Sequence, residues 1–181
     1  MASLGHIAMG FAVARAHEGR FNWKAAVAFS TFSLVPDLDV IAFRFGIPYA
    51  AQFGHRGATH SIAFALLMGG AAFALTRSWK STLAMTVVVL SHPLLDMLTD
   101  GGLGVALFWP VSLERLFFPW TPLPVAPLGS RLLSQRGLHV LLVEAVAFLP
   151  FWILAFLSPS PGGGKANSRL EGKERRGEGN R

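Results

Sequence analysis

The apolar runs constrain this chain most. Residues 24–43, 61–76, 81–98 and 138–157 are almost free of charge except near their ends, and a shorter run covers residues 4–16. Crossing a bilayer as helix takes about 20 mostly apolar residues, because each backbone polar group must be satisfied within the segment. At 52% hydrophobic and 14% charged residues, the composition is unusual for a soluble domain. The expected fold is an all-α, polytopic transmembrane bundle of about five helices.

The first run has no basic start, and His6 and Arg15 interrupt it, which does not suit a cleaved secretory signal. We read it as part of the mature fold. A helix of about 13 residues reaches only about 20 Å, so this run is a short tilted span, an interfacial helix or a re-entrant one. The chain has no cysteine, so a metal would be held by imidazole and carboxylate alone.

The net charge of +6 does not require a nucleic-acid partner. With five crossings, eleven of the sixteen Lys and Arg residues fall on one side, including those after Gly164, and five on the other. The positive-inside rule then puts the C-terminus in the cytoplasm. The expected organisation is a membrane-embedded domain over residues 1–157 and a disordered basic tail over 158–181, marked off by the Pro/Gly/Ser break at 159–164. The segment 101–136 is rich in Pro, Phe and Trp and reads as an interfacial loop with aromatic anchors.

Ionisable residues at membrane depth are costly and are functional candidates by default. His6 lies near the start of the first run. Pro36-Asp37-Leu38-Asp39 falls near the end of the second, where a helix ending near Pro36 would let both carboxylates enter one pocket. His55-Arg56-Gly57-Ala58-Thr59-His60-Ser61 opens the third, and Ser91-His92-Pro93-Leu94-Leu95-Asp96 closes the fourth, with Asp100 one turn on. End, start and end of successive antiparallel helices share one side of a bundle whichever way it is inserted. On the topology above, that side is the outer one.

His92 and Asp96 are four apart and share a helical face, while Pro93 removes a backbone hydrogen bond beside them. Two nearby carboxylates, Asp37 and Asp39, repel unless a cation compensates them. Arg56 carries a guanidinium fork suited to a phosphate oxygen pair.

Plainer readings compete with these. His17 and His139 have no acidic neighbour at helical spacing and read as structural. Asp37, Asp39 and His6 could be helix-end or solvent-facing groups, Asp100 a loop carboxylate, and the whole cluster polar glue between helices. Glu144, within the last run, needs a partner such as His139, Arg115 or a neighbouring helix.

Taken in order, His6 and the three motifs from Pro36 to Asp96, with Phe108-Trp109-Pro110, resemble the bacterial YdjM-like inner-membrane metal-dependent hydrolases over about residues 1–157. The resemblance implies a metal-dependent hydrolase of undefined substrate. A more distant similarity is to zinc-dependent phospholipase C and P1-type nucleases, in which His6, Asp37 or Asp39, His60, and His92 with Asp96 would fill the metal-ligand places. No third-metal group follows Asp96 here, so one or two ions are expected.

The functional expectation is a membrane hydrolase that cleaves a phosphoester of a lipid or lipid-linked substrate with metal-activated water. His6, Asp37, Asp39, His55, His60, His92 and Asp96 are the expected ligands of one or two divalent ions, zinc first and manganese second. Asp39 and Arg56 are the expected catalytic groups, as proton acceptor and phosphate clamp. The main alternative is a membrane metal-binding or transport protein without catalysis. An intramembrane metalloprotease is disfavoured because no His-Glu-x-x-His helix occurs.

Overall fold

A computed structural model describes residues 3–127 and 129–157; the expected tail at 158–181 lies outside the described residues. Among the described residues the protein is all-helical and has no strand, only isolated bridges at Thr99–Leu123 and Val105–Leu116. The α-helices are α1 (Ser3–Glu18), α2 (Trp23–Leu34), α3 (Ile62–Thr76), α4 (Trp79–Asp96), α5 (Gln135–Ala147) and α6 (Leu149–Leu157).

Local chemistry sets the helix ends. Asn22, Ser61, Ser78 and Ser134 each accept a backbone N–H from the first turn of α2, α3, α4 and α5, satisfying donors that the helix itself leaves orphaned. Gly19, at φ 72°, ends α1 by donating its N–H to the Arg15 carbonyl at 2.9 Å.

The second apolar run departs from expectation. α2 ends at Leu34, beside Pro36 as expected, but the backbone stays helical: the Val35 N–H bonds the Phe32 carbonyl and a 3-10 segment continues over Val35–Phe45. Pro36 cannot donate to an α ladder but is tolerated at the start of a new helical segment. Asp37 and Asp39 therefore lie inside a helical run instead of beyond it. The last apolar run is also not a single rod: α5 and α6 meet at Phe148 with a 58° bend.

Trp23–Phe45 is one helix long and apolar enough to cross a membrane; the α5–α6 pair would be a second if it acts as one bent span, and α3 is apolar but shorter. Helix length alone thus does not establish the expected five crossings.

α1 is the hub, packing on α2, α4, α5 and α6, while α3 pairs with α4. The buried apolar residues are mostly small, including Ala8, Ala12, Ala26, Ala65, Ala72 and Val88, whereas Leu66, Leu67, Leu75, Leu83 and Leu142 face outward. Close helix approach needs small residues at the seams. A Cβ at Gly10 would run into the backbone of Ser30 on α2, and one at Gly69 into Thr86 on α4. The interior is left to polar groups: His6, His60, His92, Asp96, Arg56 and Glu144 are all at most 1% exposed.

Candidate metal centre

The sequence motifs converge as the antiparallel arrangement demands. His6 comes from the first turns of α1, Asp37 and Asp39 from the 3-10 segment after α2, His55 and His60 from the turn before α3, and His92 and Asp96 from the last turns of α4. Asp37, His60, His92 and Asp96 each bring one donor atom within 4.8 Å of the others. Asp37 Oδ1 lies 3.4 Å from His92 Nε2 and 3.7 Å from His60 Nε2. Asp96 Oδ2 lies 3.6 Å from His60 Nε2 and 4.0 Å from His92 Nε2, and Asp96 Oδ1 is 3.4 Å from His6 Nε2.

The remaining ring nitrogens fix the tautomers. His92 Nδ1 is 2.7 Å from the Ser33 carbonyl, which can only accept, so the proton sits on Nδ1 and the lone pair on Nε2. His60 Nδ1 meets the Thr59 hydroxyl at 3.1 Å; that hydroxyl gives its proton to Asp39 Oδ2 at 2.8 Å and so accepts from the ring, which likewise turns Nε2 inward. Lone pairs and carboxylate oxygens thus point at one another across a buried space. Both oxygens of Asp37 and the Nε2 atoms of His6, His60 and His92 have no hydrogen-bond partner among the described residues. Buried acceptors that face each other are unfavourable unless a cation or proton lies between them. The donor set of imidazole nitrogens and carboxylate oxygens suits a divalent ion.

The same demand for positive charge appears at His60. Burial alone would lower its pKa, but Asp37 and Asp39 prevail and raise it to about 9.

Asp39 differs from Asp37. It accepts from His55 Nδ1 at 2.7 Å, Arg56 N–H at 3.1 Å and the Thr59 hydroxyl at 2.8 Å, and its Oδ2 lies 3.1 Å from His60 Nδ1. Protein donors therefore occupy Asp39, although Asp39, His55 and His60 form a second group close enough to gather around an ion. His55 Nδ1 stands 3.9 Å from Asp37 Oδ1, one layer out.

Arg56 is 1% exposed, with its backbone at φ 61°, a left-handed conformation that costs a non-glycine residue energy. Its Nε lies 2.9 Å from Asp96 Oδ2, Nη1 donates to the Gly101 carbonyl at 2.7 Å and Nη2 to the Thr99 hydroxyl at 3.0 Å. The fork is thus engaged by the protein and orients Asp96. An open cleft of about 490 Å³, lined by Tyr49, His55, Arg56, Gly102, Val125, Ala126, Pro127 and Arg131, borders the centre on this side.

Spacing gave no hint of Arg115, which clamps the loop that leads into His55. Its Nη1 donates to the His55 carbonyl at 3.0 Å, and its Nη2 to the carbonyls of Tyr49 and Ala51 at 3.1 Å. Asp100 is an exposed loop carboxylate whose Oδ1 accepts the Val125 N–H at 2.7 Å. Glu144 pairs with neither His139 nor Arg115 among its described contacts; its Oε2 accepts the Leu4 N–H of α1 at 2.6 Å.

No solved structure matches the chain. A relative from Escherichia coli (strain K12), described as inner membrane protein YbcI, is 41% identical over 130 residues, covering 67% of this chain and 75% of the relative. The family model described as YdjM inner membrane protein matches residues 1–160, a span that includes every residue of the centre, and the chain therefore belongs to that family.

Proposed function

We propose that this protein is a metal-dependent hydrolase of the inner membrane that cleaves a phosphoester of a lipid or lipid-linked substrate. The observation that carries the reading is the ring of buried, mutually facing acceptors formed by Asp37, His60, His92 and Asp96. These four, with His6, would hold a divalent ion, zinc first and manganese second. Asp39, occupied by His55, Arg56, Thr59 and His60, acts from the next layer. It fixes His60 and is the nearest carboxylate outside the ligand set for taking up a proton.

Such an ion supplies Lewis acidity, polarising a phosphoryl oxygen and making water nucleophilic near neutral pH. Arg56 serves by holding Asp96 in place, so the phosphate-clamp role expected from the sequence is not its main one. The cleft beside His55 and Arg56 supports access for a substrate, and its walls of Val125, Ala126 and Pro127 suit an apolar tail next to the ester.

Large apolar side chains outside and ionisable ones inside suit a multi-pass protein in lipid. On this reading α1 to α4 and the bent α5–α6 pair make the five passes, the C-terminus is cytoplasmic and the centre lies near the outer face. Bilayer lipid is then both surroundings and source of substrate, and nucleic acid is not a partner.

A second reading, a metal-binding protein without catalysis, is favoured by the depth of burial, since His6, His60, His92 and Asp96 are all 0% exposed. One series of measurements separates the two. Detergent-purified wild type, His92→Ala and Asp37→Ala are assayed for zinc and manganese by elemental mass spectrometry, with folded yield checked by size exclusion. Metal in the wild type, lost from folded variants, supports the centre; a wild type that stays metal-free after reconstitution sinks it. Metal-dependent release of phosphate or headgroup from a phospholipid panel then favours the hydrolase. A loaded protein inert across phospholipid and lipid-linked phosphoesters favours the binding protein.

A further inference from the structure

We infer that Glu144, on α5, is a positioning residue for the metal centre, acting through the first turn of α1 to set the place of His6. The inference rests on the metal-centre reading above.

A helix start leaves its first N–H groups unsatisfied and partly positive, and these attract an anionic acceptor. The first turn of α1 contains no acidic residue. The acceptor comes instead from 140 residues further along the chain: Glu144 is fully buried, and its Oε2 takes the Leu4 N–H at 2.6 Å. The adjacent Gly5 lies directly against the Phe148 ring, where a Cβ would stand 2.5 Å from the nearest ring carbon, and Phe148 also packs on Ala8. α1 is therefore seated on the α5–α6 junction at the level of Leu4 to Ala8.

His6 lies two residues beyond Leu4, about 200° around the helix from it, and so projects away from this seat. Its ring stacks on His92 with 3.7 Å between centroids, and its Nε2 reaches to 3.4 Å from Asp96 Oδ1. A slip of one residue along α1 would move the ring by about 1.5 Å and turn it by about 100°. The bond from Glu144 to Leu4 opposes that slip. A fully buried carboxylate in an apolar helix is costly, and fixing a ligand-bearing helix gives it a use.

Two measurements test this. The first is histidine modification by diethyl pyrocarbonate, mapped by peptide mass spectrometry on the full chain in detergent, for wild type, Glu144→Gln and Glu144→Ala. His6 is expected to be protected in the wild type. In Glu144→Ala it should react several-fold faster while His55 and His60 stay protected, with Glu144→Gln, which keeps an acceptor oxygen, in between. Equal deprotection of His6, His55 and His60 would mean general loosening and would overturn the assignment, as would an unchanged His6. This readout does not need metal, so it stands even where the metal reading fails.

The second is a zinc-affinity cycle. Glu144→Ala should weaken zinc binding about tenfold, the scale of an outer-sphere loss, and add less than twofold in a His6→Ala background. Additive losses would overturn the coupling to His6.

Discussion

The imidazoles of His6 and His92, from α1 and α4, lie stacked and nearly parallel, with 3.7 Å between ring centroids and 11° between planes. Two imidazolium rings at that distance would repel each other, so the stack favours at least one neutral ring. Both rings bring Nε2 close to the Asp96 carboxylate, at 3.4 Å from His6 and 4.0 Å from His92. Imidazole nitrogens and carboxylate oxygens gathered in this way suit a cation between them.

Zinc uptake should fall as pH drops from about 9 to 5. Ligand imidazoles must be neutral to coordinate; burial disfavours the charged ring of His60, but Asp37 and Asp39 hold its proton up to about pH 9, so the ion competes with that proton and acid weakens the site. Competition titration with a chromophoric chelator across this range gives the slope. Affinity that stays flat would count against histidine ligation.

Asp37 and Asp39 should separate under mutation. Asp37→Asn removes a carboxylate whose oxygens have no protein donor among the described residues, and should abolish stoichiometric metal binding. Asp39→Asn weakens the hold on His60 and His55, and should reduce affinity by about tenfold without abolishing it. If the two variants behave alike in the same titration, the division into inner and outer carboxylates is wrong.

Arg56→Ala should cost stability before it costs chemistry. It leaves Asp96 without its guanidinium partner at 2.9 Å and removes donors from the Gly101 carbonyl and Thr99. Breaking a buried charge pair from one side costs about 3–5 kcal/mol. The check is the thermal unfolding midpoint in detergent, which should drop well below that of Asp100→Ala, an exposed loop change expected to sit close to wild type.

Gly10→Val should fail at assembly. The added side chain meets the backbone of Ser30, so α1 and α2 must separate, at a cost of about 1–3 kcal/mol or more for overpacking. Size exclusion should show loss of the monodisperse peak, whereas Gly70→Ala on α3, which faces open space, should keep it.

Much of this convergence was legible in the sequence alone. The ends of successive apolar runs carry His6, Asp37, His60, His92 and Asp96, and antiparallel helices must bring those ends to one side. The four-residue step from His92 to Asp96 already placed both on one helical face. The membership in a family of inner membrane proteins was visible from the same ordered motifs.

What the tertiary structure decided was how these groups share the work. Asp37 and Asp39 look equivalent in the chain, yet folding brings the Arg56 amide, Thr59, His55 and His60 around Asp39 and leaves Asp37 facing lone pairs. Arg56, read from sequence as a phosphate clamp, is turned by its left-handed backbone into a brace for Asp96. The role of Arg115 was invisible, and for Glu144 only the need for a partner such as a neighbouring helix could be read, because the contacts lie 60 and 140 residues away along the chain. Local spacing determines which face of a helix a residue occupies; only packing determines which donors meet it there, and that decides whether a buried charge holds a metal or holds the fold.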